Sequence, residues 1–436
     1  MQQRVVAIVG GAVAGSEAAS LCAERGALVV VFEQGERPYG KIEDGLPRWH
    51  EKLRQKEYAK IDENLGREGV LFVPKTQIGD DLSFDELRDA GFSAVILANG
   101  AWRDRPLPID GIDRFVGKGL LYQNPYVYWF NHAHEASYDG PRYEAVQGAI
   151  VVGGGLASID VVKILSLATH AEALRAKGVD VDIVEMEQKG IAKYCESKGV
   201  ALESLGVTPP TLYYRRSMED MPLASPPPNA TEEQEAKVRK ARTKIMQRVI
   251  ERYVVAFEPL CSPHEPIVEG DRLVGLRFQR TEIVDGRVKS TGETVDVRAP
   301  LVISSIGSVP QPIPGIPMKG ELYDYANWDT GEVRGMPGVF GLGNVLTGKG
   351  NIKDSRLNAQ EVARGVLEGF LSMAEVEKVL DEAHEALRES AKPVVDAAMK
   401  RPVVDDGPIQ KLVQQRWEAI GYTGSYEAWM KTRRPD

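Results

Sequence analysis

The sequence predicts an α/β fold of two interlocked parallel-sheet domains, the first discontinuous and the second inserted into it, with a helical C-terminal extension. Three strand–turn–helix units predict it, with glycine turns beginning at Gly10, Gly153 and Gly341. In the first, VVAIVGGAVAGSEAASLCAERGALVVVFEQ, the unbroken apolar run Val5 to Val9 is that of a parallel strand buried on both faces. Ala18, Ala19, Leu21 and Cys22 give the next segment a helical apolar face, and ALVVVFE is a second strand ending at Glu33. Such a unit sets a helix N-terminus beside the turn, where free N–H groups favour a pyrophosphate. Glu33, 23 positions after Gly10, is placed to accept from a ribose 2′-hydroxyl. The fingerprint G-x-G-x-x-G reads Gly10-Gly11-Ala12-Val13-Ala14-Gly15, so a methyl group stands at Ala12 where the backbone usually nears phosphate.

The second unit, AIVVGGGLASIDVVKIL, turns at Gly153-Gly154-Gly155, with Ser158 at the third glycine position and Leu156 opening the helix. The third, GVFGLGNVLTGKGNIKDSRLNAQEVARGV, turns at Gly341-Leu342-Gly343-Asn344 and predicts a helix from near Ile352, whose N-terminus would stabilise negative charge. Two Rossmann-like dinucleotide turns about 140 residues apart imply two nucleotides in one chain, a pattern that suggests hydride transfer through a flavin.

The segment after the second turn decides between nucleotides. Arg215 lies 60 residues beyond Gly155, against about 20 in a compact unit. If the intervening helical-looking stretch is an insertion, TLYY is the second strand, and Arg215 and Arg216 at its end suit a 2′-phosphate. The competing reading makes VDVDIVEM the strand and Glu185 the ribose acceptor, which favours NADH.

The totals narrow the class further. At about 150 residues per domain, 436 residues allow two or three domains. A net charge of −9 argues against a nucleic-acid-binding surface overall. The three cysteines, Cys22, Cys195 and Cys261, form no CxxC pair, which argues against an iron–sulfur cluster or redox disulfide in this chain and for a reducing, cytoplasmic setting. No metal site is expected. No apolar run nears the roughly 18 residues of a membrane span.

These stretches resemble the adrenodoxin reductase-like ferredoxin–NADP+ reductases and, more distantly, the small subunit of glutamate synthase. The resemblance runs over about residues 4–370 and is carried by GGAVAG…FEQ, YGKIEDGLPRWH, AVILANGAW, GGGLASID with YRRSMEDMP, LVISSIGSVP and GVFGLGNVLTGKGNI. It implies an FAD-binding domain over 1–103 and 302–374, an NADP-binding domain over 104–301 and a helical extension over 375–436. It implies FAD contacts at Gly10, Ala12, Gly15, Glu33, Gly40, Leu46, Gly100, Gly343, Asn344, Asn351 and Ile352. NADP contacts are implied at Gly153, Gly155, Leu156, Ser158, Arg215 and Arg216. His50 and Asp160 match a histidine and an aspartate that lie together in the family, where they would tune proton uptake or couple the domains. The activity implied is hydride transfer between NADP(H) and FAD, with single-electron transfer to an iron–sulfur protein. Two alternatives stay open. One is the electron-input subunit of a larger complex. The other is a decayed FAD-binding protein, with Ala12, Tyr39 (for a glycine) and Asn344 as its marks.

TEEQEAKVRKARTKIMQRVIERYV opens on a Thr231/Gln234 capping-box pair and sets Val238, Ala241, Ile245 and Val249 on one face. Lys237, Lys240, Lys244, Arg248 and Arg252 gather on another, a strip on which an acidic, ferredoxin-like partner could dock. The C-terminal segment predicts helices with a break near Pro393 and carries Trp417, Tyr422, Tyr426 and Trp429. Packing on the body, a dimer contact and an aromatic cover over the flavin are all open to it.

Overall fold

The computed structural model describes residues 1–226, 229–346 and 373–435. The first apolar run is strand β1 (Val5–Val9), followed by helix α1 (Val13–Glu24) and strand β2 (Leu28–Phe32). Helix α2 (Glu51–Leu65) and strands β3 (Val70–Val73) and β4 (Ala94–Leu97) complete the parallel core. The sheet order is β4-β1-β2-β3. Val339–Gly341 adds in parallel beyond β4, and Glu332–Val333 and Tyr325–Asn327 come next, antiparallel. β1 runs through the middle of this sheet with every residue buried, the burial its unbroken apolar sequence requires.

The inserted domain has its own all-parallel sheet. Its strands are β5 (Leu120–Tyr122), β6 (Ile150–Gly153), β7 (Thr211–Tyr213), β8 (Ala256–Glu258) and β9 (Val302–Ser305), in the order β8-β7-β6-β9-β5. Helix α3 (Gln123–His132) comes after β5, and α4 (Leu156–Ala176) after β6. TLYY is thus the second strand, and the stretch before it is an insertion of helices α5 (Ile183–Lys189) and α6 (Ile191–Ser197). VDVDIVEM does not form a strand: Asp182 caps α5 by accepting from the amides of Val184 and Glu185, at 2.8 and 3.1 Å. Glu185 therefore sits on an outer helix, paired with Lys189 at 2.7 Å.

Helix α7 (Glu232–Tyr253) has the expected capping box, and Ile245 and Val249 are buried. Between β8 and β9 the chain forms a three-stranded antiparallel sheet, Cys261–Glu269, Arg272–Val284 and Arg287–Arg298, which the sequence does not announce. Its Leu273, Leu276 and Phe278 pack against Ile150, Val152 and Tyr213 of the parallel sheet. One expected boundary moves. Val302–Ser305 pairs with Ile150–Gly153, so this strand belongs to the inserted domain, and the return crossing comes after it. Both crossings meet where Arg103–Asp104 pairs antiparallel with Ser308–Val309.

The C-terminal extension packs on the first domain. Helix α8 (Met373–Met399) continues through Pro393 without interruption, against the expected break. Ala391, Val394, Val395 and Ala398 are buried beside α1, and that burial offsets the roughly 3 kcal/mol an internal proline costs. Arg388 pairs with Glu17 at 2.6 Å and also with Glu24, both on α1. Helices α9 (Gly407–Ile420) and α10 (Tyr426–Lys431) cover the β3 edge. There the indoles of Trp417 and Trp429 donate to the carbonyls of Phe72 and Glu36, at 2.8 and 2.9 Å. Among the described residues no helix is long and apolar enough to cross a membrane.

Candidate functional site

In open α/β sheets, ligands bind beyond the carboxyl ends of the strands, where the strand order reverses. In the first sheet that point lies between β1 and β4. A cleft of about 330 Å³ opens there, lined by Gly10, Ala12, Glu33, Gly40, Gly100, Gly343 and Asn344 among others. Gly10 has φ +97°, and a Cβ on it would lie 2.6 Å from the Ala98 carbonyl oxygen. A Cβ on Gly15 would lie 1.8 Å from the Gly10 carbonyl oxygen, so the turn and α1 close only with glycines at both places. Ala12 is the N-cap residue of α1, and its methyl faces Gly40, where a second Cβ would lie only 2.9 Å away.

Glu33 directly follows β2, buried, with its carboxylate accepting from the amides of Gly11 and Gly35, both at 2.8 Å. Burial pushes its carboxyl up to about 7, although those two amides pull the other way. The carboxylate thus sits on the glycine turn, facing the cleft, where a ribose is expected. Thr76 and Gln77, beyond β3, continue this end of the cleft. Leu387 of α8 contributes to the cleft wall, a role for the extension that its sequence did not signal.

Three expected residues stand differently. Leu46 is buried but does not line the cleft; its carbonyl accepts from Asn131 of α3 at 2.9 Å. Asn351 and Ile352 lie outside the described residues.

The second glycine turn sits at the corresponding point of the second sheet, between β6 and β9. Gly153 packs against the Ser305 carbonyl and the Ser158 side chain, where a Cβ would come within 2.3 and 2.7 Å. Ser158 Oγ donates to the Gly155 carbonyl at 2.5 Å, and Gly155 caps α4, which begins at Leu156. The Tyr214 ring packs against Gly154, 2.0 Å from where a Gly154 Cβ would be. Just beyond, at the end of β7, Arg215 is exposed, and Arg216 reaches the Gly286 carbonyl at 2.9 Å. The turn and the arginine pair therefore stand at the ends of neighbouring strands.

His50 and Asp160 meet across the domain joint, both buried, with His50 Nε2 3.7 Å from Asp160 Oδ1. Nε2 accepts instead from the Trp49 indole at 2.9 Å. Neither residue lines the cleft. One turn along α4 from Asp160, Lys163 forms a buried ion pair with Glu187 at 2.8 Å and lies over the rings of Trp49 and Tyr253. Burial works against the Lys163 charge, but Glu187 prevails and holds its pKa above the usual lysine value. Sequence reasoning missed this pair, though a lone lysine within the apolar run IDVVKIL was its signal.

On α7, Lys237, Lys240, Lys244 and Arg248 are exposed, while Arg252 turns in to the carbonyls of Gln188 and Glu187. Lys189 and Lys193 lie beside Arg248 and Arg252 around a shallow cleft, lengthening the basic strip.

Residues 4–202 match the pyridine nucleotide-disulphide oxidoreductase family. The chain is 24% identical over 405 residues to the mitochondrial NADPH:adrenodoxin oxidoreductase of Arabidopsis thaliana, covering 83% of this chain and 80% of that one. It is 34% identical over 179 residues to the small chain of NADPH glutamate synthase from Bacillus subtilis, covering 40% and 34%. Its fold is similar to that of Mycobacterium tuberculosis FprA solved in complex with NADPH, with TM-score 0.58, 21% identity and 95% and 99% coverage. The resemblance to adrenodoxin and ferredoxin reductases read from the sequence thus extends over most of the chain.

Proposed function

We propose that this protein is an FAD-dependent ferredoxin–NADP+ reductase, an NADPH-dependent oxidoreductase that passes electrons singly to an iron–sulfur protein. The observation that carries the reading is the pairing of two glycine turns, each at a strand-order reversal, with opposite reading groups: buried Glu33 beside the first and Arg215 with Arg216 beside the second. A carboxylate suits a free ribose hydroxyl, and two guanidiniums suit a 2′-phosphate.

The first cleft fits an extended flavin dinucleotide. Gly10, Ala12 and the N-terminus of α1 would hold the pyrophosphate, Glu33 the ribose, and Gly40, Gly100, Gly343 and Asn344 the remainder. FAD, when bound, supplies the conversion between two-electron and one-electron transfer. The protein's part is orientation: Gly153, Gly155, Leu156 and Ser158 seat the second nucleotide on α4, and the arginine pair selects NADPH. His50 and Asp160, buried at the joint, are proposed to couple the domains and tune proton uptake from outside the cleft. An acidic ferredoxin would dock on Lys237, Lys240, Lys244 and Arg248.

The two alternatives fare less well. The likeness to the glutamate synthase small chain covers 40% of the chain, against 83% for the adrenodoxin oxidoreductase. Decay is disfavoured because Tyr39, one of its supposed marks, is accommodated in the buried wall of the cleft. It stacks on Tyr58 at 3.9 Å and bonds Asp62 at 3.1 Å.

Anaerobic titration of the FAD-loaded protein is the test. NADPH should bleach the flavin band and NADH do so poorly. Arg215→Ala with Arg216→Ala should weaken NADPH by roughly 10- to 100-fold and leave NADH unchanged. Equal losses for both nucleotides would remove the 2′-phosphate role.

A further inference from the structure

Lys41 lies within YGKIEDGLPRWH, and the resemblance gives it no role, yet it occupies a distinctive place. It comes directly after Gly40, is half-buried and lines the first cleft together with Trp102. Its Nζ donates to Asn124 Oδ1 and to Ser308 Oγ, both at 3.1 Å, and sits 5.6 Å from the centre of the Trp102 indole. Asn124 is itself fixed, its Nδ2 donating to the Trp102 carbonyl at 2.9 Å and to Ser308 Oγ at 3.0 Å. The ammonium is thus held by neutral acceptors drawn from α3 and from the return crossing. Among the described residues it makes no salt bridge. The carboxylates that face it are Asp104 and Asp44. Asp104 accepts from the Asn124 amide at 3.2 Å, and Asp44 is engaged by His132 at 3.0 Å.

The sheet order says which end of the cleft this is. Glu33 and Thr76 stand beyond β2 and β3, whereas Trp102 lies beyond β4, with β1 between β4 and β2. Two strand spacings of about 4.8 Å separate β2 from β4. If Glu33 reads the ribose and α1 the pyrophosphate, the flavin ring falls on the β4 side, the side of Lys41.

We propose that Lys41 is a charge-setting residue for the bound flavin, a cation in the cleft wall that favours the reduced state by attracting the negative charge reduction brings. The inference rests on the reading of the first cleft as an FAD site. A charge held in a desolvated wall acts more strongly than one in water and requires no reorganisation when the ring is reduced. Burial pulls the Lys41 ammonium down to about 8, against the pull of Asp104 and Asp44. Burial likewise pushes Asp104 up, to about 6, so the two titrate in separate windows.

Spectroelectrochemical titration of the FAD-loaded protein from pH 6.5 to 9.5 tests this, using wild type, Lys41→Met and Lys41→Arg. At pH 7, Lys41→Met should have the more negative midpoint potential. The gap should close as pH rises past about 8, where the wild-type cation loses its proton. Lys41→Arg should hold the wild-type value and lack the change of slope near pH 8. A purely structural strap through Asn124 and Ser308 predicts no such pH-dependent gap. Lys41→Met tracking wild type at every pH overturns the proposal. Should Lys41→Met not fold, wild-type and Lys41→Arg profiles of the same slope throughout overturn it equally. Wild type that takes up no FAD overturns the underlying reading, and this inference with it.

Discussion

Beneath the joint between the two domains, Lys163 places an ammonium in the interior with 2% of its residue surface exposed, and one carboxylate, Glu187, answers it. Glu187 also accepts from the Tyr253 hydroxyl at 2.7 Å, and Asp160 lies one helical turn away on the same face as Lys163. Removing one member of such a pair leaves an uncompensated buried charge. Lys163→Met should therefore cost about 3–5 kcal/mol, read as a lower denaturation midpoint. Adding Glu187→Leu should recover much of that loss, because an apolar replacement of the whole pair escapes the desolvation penalty. A double variant no more stable than the single one would show that the Tyr253 hydroxyl depends on the Glu187 carboxylate it donates to. Single residues also explain departures from the glycine pattern. Ala12 is tolerated because Gly40, at φ +51°, leaves room for its methyl. Tyr39 is tolerated because its ring turns to Tyr58 and the Asp62 carboxylate, which also accepts from Tyr426 of the extension at 2.6 Å.

At the level of elements, the end of α3 grips the segment that carries Gly40 toward α2. Asn131 donates to the carbonyls of Glu43 and Leu46, both at 2.9 Å, and accepts from the Arg48 amide at 3.0 Å. His132 adds contacts to Asp44 at 3.0 Å and Glu135 at 2.7 Å. Burial disfavours the imidazolium, but these two carboxylates outweigh it and raise the His132 pKa above 6.5. A raised histidine pKa contributes stability in full below the unfolded value, and that contribution is lost as pH rises through the folded one. The grip should accordingly weaken from about pH 6.5 upward. Denaturant unfolding of wild type should show a stability loss across that window that His132→Gln lacks. Parallel profiles for the two proteins would exclude His132 as its source. Segments of this kind were only partly legible in the sequence. β1 and β6 announce themselves as apolar runs into glycine, and β2 as one into Glu33, because a parallel strand buried on both faces can hold little else. The helix at VDVDIVEM was ambiguous because alternation over so short a stretch imitates a strand, and only the Asp182 cap decides it. The sheet over Cys261–Arg298 was missed because its outer strand is largely exposed and polar, which erases the apolar period. Pro393 misled because a local penalty was weighed without the burial around it.

For the whole molecule, the distribution of charge matters more than its total. The chain carries −9, so an acidic electron carrier meets a repulsive body except where cations gather. Lys237, Lys240, Lys244 and Arg248 are exposed along α7, and Lys189 and Lys193 extend them across the end of α5 and onto α6. Arg252, counted in the strip from sequence, is committed to the carbonyls of α5 and ties that helix to α7 instead. Since α7 leads into β8 beside β7, the strip and the arginine pair belong to one domain, while the cleft proposed for the flavin belongs to the other. On the proposed reading, a partner seated on the strip contacts one domain and exchanges electrons with a cofactor held by the other. That arrangement gives docking and hydride transfer different sensitivities to salt. Exposed charges are screened over about 10 Å at 0.1 M ionic strength. Reduction of an acidic ferredoxin should slow steeply as NaCl is raised, while flavin bleaching by NADPH at saturation should change little. Lys237→Glu with Lys240→Glu and Lys244→Glu should lower ferredoxin kcat/KM roughly tenfold or more at low salt and flatten the salt profile. The same triple variant should reduce ferricyanide, a small acceptor that needs no docking surface, at the wild-type rate. A wild-type ferredoxin rate indifferent to salt, or a triple variant as salt-sensitive as wild type, would move the docking surface elsewhere.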